Sequence, residues 1–170
     1  VSTVRSFYRY LLRESKLSTD PLAGVRGPKR ERRLPSVLTK EHLTALIESA
    51  DADTAQGLRN RAILELMYAA GVRLSEVVSL DVGHVDMAER TLLVRGKGNK
   101  ERMVLFGMPA KVRLKRYLTD GRPKLVRNGE QALFVNRDGG RLSGRSMEQI
   151  VRRHALRAGL DQRVFPHLLR

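Results

Sequence analysis

The 170-residue sequence contains no cysteine, which excludes disulfides and thiolate metal sites. Its four histidines, His42, His84, His154 and His167, show no metal-ligand spacing. Acidic residues are scarce: 18 Asp and Glu stand against 33 Lys and Arg, a net charge of +15. The most apolar stretch, Ala62 to Val72, is interrupted by Glu65 and is too short to span a bilayer. No Gly-rich phosphate loop opens a helix, and no Gly-x-Ser-x-Gly elbow occurs. The common nucleotide-binding and serine-hydrolase readings therefore find no support. Internal repeats and low-complexity segments are also missing. With no basic-then-apolar leader before the first helix, no export signal is expected. With Val rather than Met as the first residue, upstream sequence is expected.

Apolar residues make up 41% of the chain, enough for a packed core. The excess of positive charge favours a polyanionic partner through counterion release and electrostatic steering. Nucleic acid fits this better than an anionic membrane, because neither a lipid anchor nor an insertion helix is visible. A generic solubilising surface is the plainer alternative.

Periodicity predicts a helix over 2–16, with Val4, Phe7, Tyr8, Leu11 and Leu12 on one face and Arg5, Arg9, Arg13 and Lys16 beside it. Residues 24–38 read as a basic linker broken by Gly24, Gly27, Pro28 and Pro35. Its cations Arg26, Lys29, Arg30, Arg32 and Arg33 suit a phosphate backbone; a soluble connector is the other reading. Thr39 can cap a helix over 40–50, and a second helix over 56–70 should stop at Gly71. Ser75 can cap a short helix through Leu80. Residues 91–95 and 101–106 flank the loop Gly96-Lys97-Gly98-Asn99-Lys100 and predict a hairpin. Then come a helix over 109–119, a short strand at Leu133–Val135, an Asp-Gly-Gly turn at 138–140 and a helix over 144–158. Pro166 suits the first position of a further helix. The fold class is therefore mainly α with a small antiparallel sheet. Tyr8 and Tyr68 read as core residues by helical spacing.

Three islands carry donors suited to an anionic phosphorus. Arg73 follows the helix-stopping glycine, where a planar fork can hold two phosphate oxygens. Alone, it reads rather as an i, i+3 partner of Glu76. Lys97 lies at a hairpin tip between two glycines and could deliver a proton to a leaving oxygen; an ordinary surface turn is the alternative. His167 and Arg170 stand three apart at a helix start, one able to move a proton near neutral pH and the other to hold charge. A non-catalytic DNA-binding module, or a basic assembly or RNA-binding protein, would share much of this composition.

The order of the islands narrows the choice. Tyr68-Ala-Ala-Gly-Val-Arg-Leu-Ser-Glu-Val-Val-Ser-Leu80, Val94-Arg-Gly-Lys-Gly-Asn-Lys-Glu-Arg-Met-Val-Leu105 and Pro166-His-Leu-Leu-Arg170 together resemble the tyrosine recombinase (phage integrase) family, most closely its Xer-type site-specific recombinases. The resemblance implies a catalytic domain over 39–170 that is incomplete, a linker over 24–38, and a segment 1–23 that ends an all-α DNA-clamping domain. It implies that Arg73 and Arg170 clamp the scissile phosphate, that Lys97 protonates the departing 5′ oxygen, and that His167 assists proton transfer at the nucleophile. Glu76 would support the site structurally. The linker cations, with Lys100 and Arg102, would contact DNA. The chemistry would be transesterification through a 3′-phosphotyrosyl link, with no metal and no cofactor. The expected partner is double-stranded DNA, bound as a homotetramer or as a heterotetramer with a paralogue. No membrane and no small-molecule substrate are expected, and the place of action would be the bacterial or archaeal nucleoid in the cytoplasm. Tyr8, Tyr10, Tyr68 and Tyr117 do not match the family's nucleophile position, so this chain by itself is expected to bind DNA without cleaving it.

Overall fold

The computed structural model describes residues 2–25, 38–127, 129–160 and 164–169, apart from the side chains of Ser2 and Lys97. The chain forms two compact units, Val1–Pro35 and Ser36–Arg170. The linker cations Arg26, Lys29, Arg30, Arg32 and Arg33, and also Arg170, lie outside the described residues.

In the first unit, helix α1 spans Ser2–Arg13. It stops three residues short of the predicted end, because Ser15 takes a left-handed conformation at φ 54°. The Lys16 amide then donates back to the Leu11 carbonyl at 2.9 Å. The predicted apolar stripe divides: Tyr8, Leu11 and Leu12 are half-buried, while Val4 and Phe7 are exposed. The Arg5 guanidinium donates to the Val25 carbonyl, folding the end of the segment back along the helix.

The second unit is mostly helical, with one three-stranded antiparallel sheet ordered β1-β2-β3. Helix α2 (Lys40–Glu48) starts at Thr39, whose hydroxyl accepts from the His42 amide at 3.3 Å. Helix α3 (Ala55–Ala70) ends at Gly71, in the left-handed region at φ 55°. A side chain there would be strained, so glycine is the natural stop. Helix α4 (Leu74–Ser79) corrects one expectation. Its cap position is Arg73, and Ser75 lies inside the first turn. The Glu76 carboxylate reaches back to the Arg73 amide at 2.8 Å and does the capping.

Strands β1 (Val85–Asp86), β2 (Thr91–Arg95) and β3 (Glu101–Leu105) follow; β1 had no sequence signal. The β2–β3 register pairs Val94 with Arg102 and Arg95 with Glu101. Helix α5 (Met108–Arg116) passes into a π-helical turn (Tyr117–Gly121) and the short α6 (Arg122–Leu125). The predicted strand at Leu133–Val135 is not a strand. It makes only isolated bridges, Asp81 to Ala132 and Val135 to Arg141, because the Asn136–Gly140 turn doubles the chain back at once. Helix α7 (Gly144–Arg157) buries Met147, Ile150, Val151 and Ala155 as its periodicity predicts. The predicted helix at Pro166 is a single 3-10 turn, Pro166–Leu169.

Helix α3 is the centre of this unit. It packs against α2, α4, α5, α6, the π-turn and the terminal 3-10 turn. Apolar residues on several of its faces are buried, including Leu58, Ala62, Ile63, Leu64, Leu66 and Met67. Tyr68, read as core from the same periodicity, is 46% exposed; the fully buried tyrosine is Tyr117, stacked on Phe134.

The core also encloses a directional polar chain. Arg59 donates to Asn60 Oδ1 at 3.1 and 3.0 Å and to the Val135 carbonyl at 2.8 Å. With Oδ1 accepting, the Asn60 amide nitrogen donates to His154 Nε2 at 3.1 Å. Nε2 is therefore unprotonated, and Nδ1–H donates to the Ser49 hydroxyl at 2.9 Å, which passes its own proton to the Leu46 carbonyl at 2.7 Å. Burial first, then the charges of Arg157 and Arg153, push the His154 imidazole down to about 4. A histidine held neutral in the fold but free to protonate when unfolded costs nothing above pH ~6.5. It removes about 3 kcal/mol of stability as pH falls from ~6.5 to ~4. The His154 ring resonance should titrate near 4 by NMR, and His154→Leu should flatten the loss of stability across that interval in urea denaturation.

Candidate phosphate-binding site

The site is built around the elbow that follows α3. The left-handed turn at Gly71 reverses the chain, and Val72 is buried beneath it. Arg73 then emerges in extended conformation with its side chain 54% exposed. At the next residue the chain enters α4, whose first turn brings Glu76 under the arginine.

Glu76 is only 1% exposed, and both of its oxygens are filled. Oε1 accepts from Arg73 Nη1 at 2.9 Å and from Arg102 Nη1 at 2.7 Å. Oε2 accepts from the Arg73 amide at 2.8 Å and from Arg102 Nη2 at 2.9 Å. The Arg102 hydrogen bonds, then those from the Arg73 backbone and guanidinium, outweigh burial and hold the carboxyl at about 2.

The hairpin supplies the facing wall. The Gly96 amide donates to the Lys100 carbonyl at 2.8 Å and closes the tip. Lys97–Asn99 form a 3-10 turn, with Gly98 at φ 76° and Asn99 at φ 60°. That reversal explains a glycine at 98 and an asparagine at 99. Arg95 pairs with Glu101 across the strands at 2.7 Å. Arg73, Ser75, Glu76, Ser79, Arg95, Gly96, Asn99, Lys100, Glu101 and Arg102 together line an open cleft of about 730 Å³. Four cations and two carboxylates line it, and both carboxylates are already paired with arginines. The cleft is therefore suited to an anion.

The sequence-derived candidates fall into three groups. Arg73, Glu76, Lys100 and Arg102 line one cleft, and Lys97 follows directly on Gly96, which also lines it, in the 3-10 turn Lys97–Asn99. His167 is not among the lining residues. It lies exposed on the terminal 3-10 turn, stacked on Phe165 with ring centroids 5.6 Å apart, and buried Leu169 anchors this turn, which packs on α3. Arg170 and the linker cations are outside the described residues. Sequence reasoning missed Arg95. Strand alternation after buried Leu92 and Val94 leaves it exposed, a signal that was available. Among the described residues there is no group of three metal-ligating side chains, and no helix is long and apolar enough to cross a membrane.

A family model described as the phage integrase family matches residues 36–170. Tyrosine recombinase XerC of Alcanivorax borkumensis is 42% identical over 172 residues, covering all of this chain and 56% of the relative. Tyrosine recombinase XerD of Mycobacterium tuberculosis is 43% identical over 173 residues, covering 98% of this chain and 56% of the relative. The chain thus spans little more than half the length of these relatives. A solved structure of XerH recombinase bound to its difH substrate in a pre-cleavage complex superposes with a TM-score of 0.67 at 26% identity, covering 84% of this chain and 42% of that one.

Glu76→Gln keeps the shape but replaces an anion facing two guanidinium groups with an amide. At neutral pH it should lower unfolding stability by about 2 kcal/mol, less than a fully buried pair because both arginines are partly solvated. A carboxylate whose folded value is depressed stabilises above pH ~4.5 and loses that contribution as pH falls toward 2. Denaturation midpoints of parent and variant should accordingly converge on acidification.

Proposed function

Because the chain belongs to the phage integrase family of tyrosine recombinases, we propose that it is part of a site-specific DNA recombinase of Xer type. The observation that carries this reading is the exposed Arg73, seated on a saturated buried carboxylate beside the Gly96–Lys100 hairpin loop. A guanidinium fixed before the ligand arrives needs no reorganisation when charge develops on a phosphate.

In this reading Arg73 and Arg170 bind the non-bridging oxygens of the scissile phosphate. A tyrosine hydroxyl attacks phosphorus, forming a P–O bond to the tyrosine while the P–O5′ bond breaks. The tyrosine proton passes to His167, and the Lys97 ammonium protonates the departing 5′ oxygen. The phosphotyrosyl link keeps the energy of the broken bond, so a 5′ hydroxyl from another strand can reverse the step. Strand exchange between two duplexes requires four such subunits, as a homotetramer or with a paralogue, acting on the nucleoid in the cytoplasm.

The nucleophile, in our reading, lies outside these 170 residues. Tyr117 has no solvent exposure, and burial raises its phenol further from ionisation. Tyr68 is exposed, but it precedes the elbow on α3 rather than following the His167 motif. The 170-residue chain should therefore bind duplex DNA without attaching to it. A labelled suicide substrate, nicked so that the short fragment carrying the freed 5′ hydroxyl is lost, tests this. Covalent label on this chain would overturn the assignment, whereas label on the full-length gene product, lost in Arg73→Ala, is the expected result. The loss for Arg73→Ala should be on the order of 10²–10³-fold in cleavage rate. Affinity for duplex DNA should also fall steeply between 50 and 200 mM salt; a mobility shift indifferent to salt would remove the electrostatic basis.

A further inference from the structure

Arg102 stands two residues beyond Lys100 on the basic hairpin, where a phosphate contact is the natural expectation. The structure gives it other work. Both of its terminal nitrogens face Glu76, at 2.7 and 2.9 Å. We propose that Arg102 is a positioning residue: through Glu76 it fixes the Lys97 hairpin against the Arg73 elbow and makes no phosphate contact itself. The inference rests on Lys97 being the proton donor in the reaction above.

The four donors on Glu76 are of two kinds. Arg73 lies three residues away and supplies its amide and one guanidinium nitrogen, contacts that belong to the turn itself. Arg102 lies 26 residues away, on another element. Its pair of bonds ties strand β3 to the start of α4. Opposite it in register, Val94 is fully buried, and paired residues share one face of the sheet, so packing and the ion pair hold the hairpin base from the same side. The five-residue tip Gly96–Lys100 projects from this base, closed by its own hydrogen bond. Where the base goes, the backbone of Lys97 goes. A guanidinium bound at two points to a carboxylate is also largely neutralised, which leaves little attraction for a phosphate. Arg73 differs: among the described residues it commits one guanidinium nitrogen to Glu76, and over half of its side chain is open to solvent.

Two measurements separate positioning from contact. The first uses the 170-residue chain and duplex DNA across 50–200 mM salt. A residue that neutralises a phosphate contributes about 0.9 to the slope of log affinity against log salt. Arg102→Gln should leave that slope unchanged; a drop of about 0.9 would overturn the proposal. The second uses the full-length gene product and two substrates, one normal and one with sulfur in place of the scissile 5′ oxygen. A thiol ionises near 8.5, so the sulfur leaves without a donated proton. If Arg102 serves Lys97, Arg102→Met should cleave the normal bond about 10²-fold more slowly and the sulfur-linked bond within about threefold of wild type. Arg102→Lys, which cannot make the two-point bond, should show the same pattern more weakly and guards against a folding defect in the methionine variant. Equal losses on both substrates, with Lys97→Ala rescued by sulfur, would overturn the role of Arg102 alone. A Lys97→Ala variant that sulfur does not rescue would instead overturn the assignment of Lys97.

Discussion

A single carboxylate organises the candidate site. Glu76 is charged and almost fully buried, a combination that is costly unless every lone pair is used. Its demands can be met only if the elbow after α3, the first turn of α4 and strand β3 arrive together. The arginine that faces solvent, Arg73, is held from below by a group that is itself held from the side by Arg102. Site geometry and local folding are thus one set of hydrogen bonds.

Helix α3 supplies the frame on which that set hangs. Being enclosed on several sides, it buries Arg59, Asn60 and Glu65, and these are answered internally. Glu65 pairs with Arg113 of α5 at 2.9 Å. Arg59 and Asn60 run a hydrogen-bonded chain through His154 of α7 to the end of α2. The same helix ends at Gly71, which launches Arg73, and its flank receives the turn that bears His167. Residues a hundred positions apart are therefore referenced to one rigid element.

Much of the secondary structure was legible. Gly71 as a helix stop, Thr39 as a cap, the 96–100 loop as a hairpin tip and the buried face of α7 all follow from local chemistry. Elements that depend on remote partners were not. Strand β1 exists only because Val85 and Asp86 find Leu92 and Thr91, and the apolar run at Leu133–Val135 stays at isolated bridges because the Asn136–Gly140 turn doubles the chain back at once. Tyr68 was misjudged in burial because periodicity reports one face of a helix, whereas the exposure of α3 is set by what surrounds it.

For the site, the order of the three islands and the family resemblance it carries made Arg73, Glu76, Lys97 and His167 candidates for phosphate chemistry. Taken singly, each had a plainer local reading, as a helix-surface pair, a surface turn or a helix start. What Arg102 binds could not be read in advance. A basic residue on an exposed strand looks the same whether it faces a phosphate or a carboxylate 26 residues away. Only the packing of β3 beside α4 decides between the two, because hydrogen-bond partners distant in sequence are chosen by the fold rather than by their neighbours in the chain.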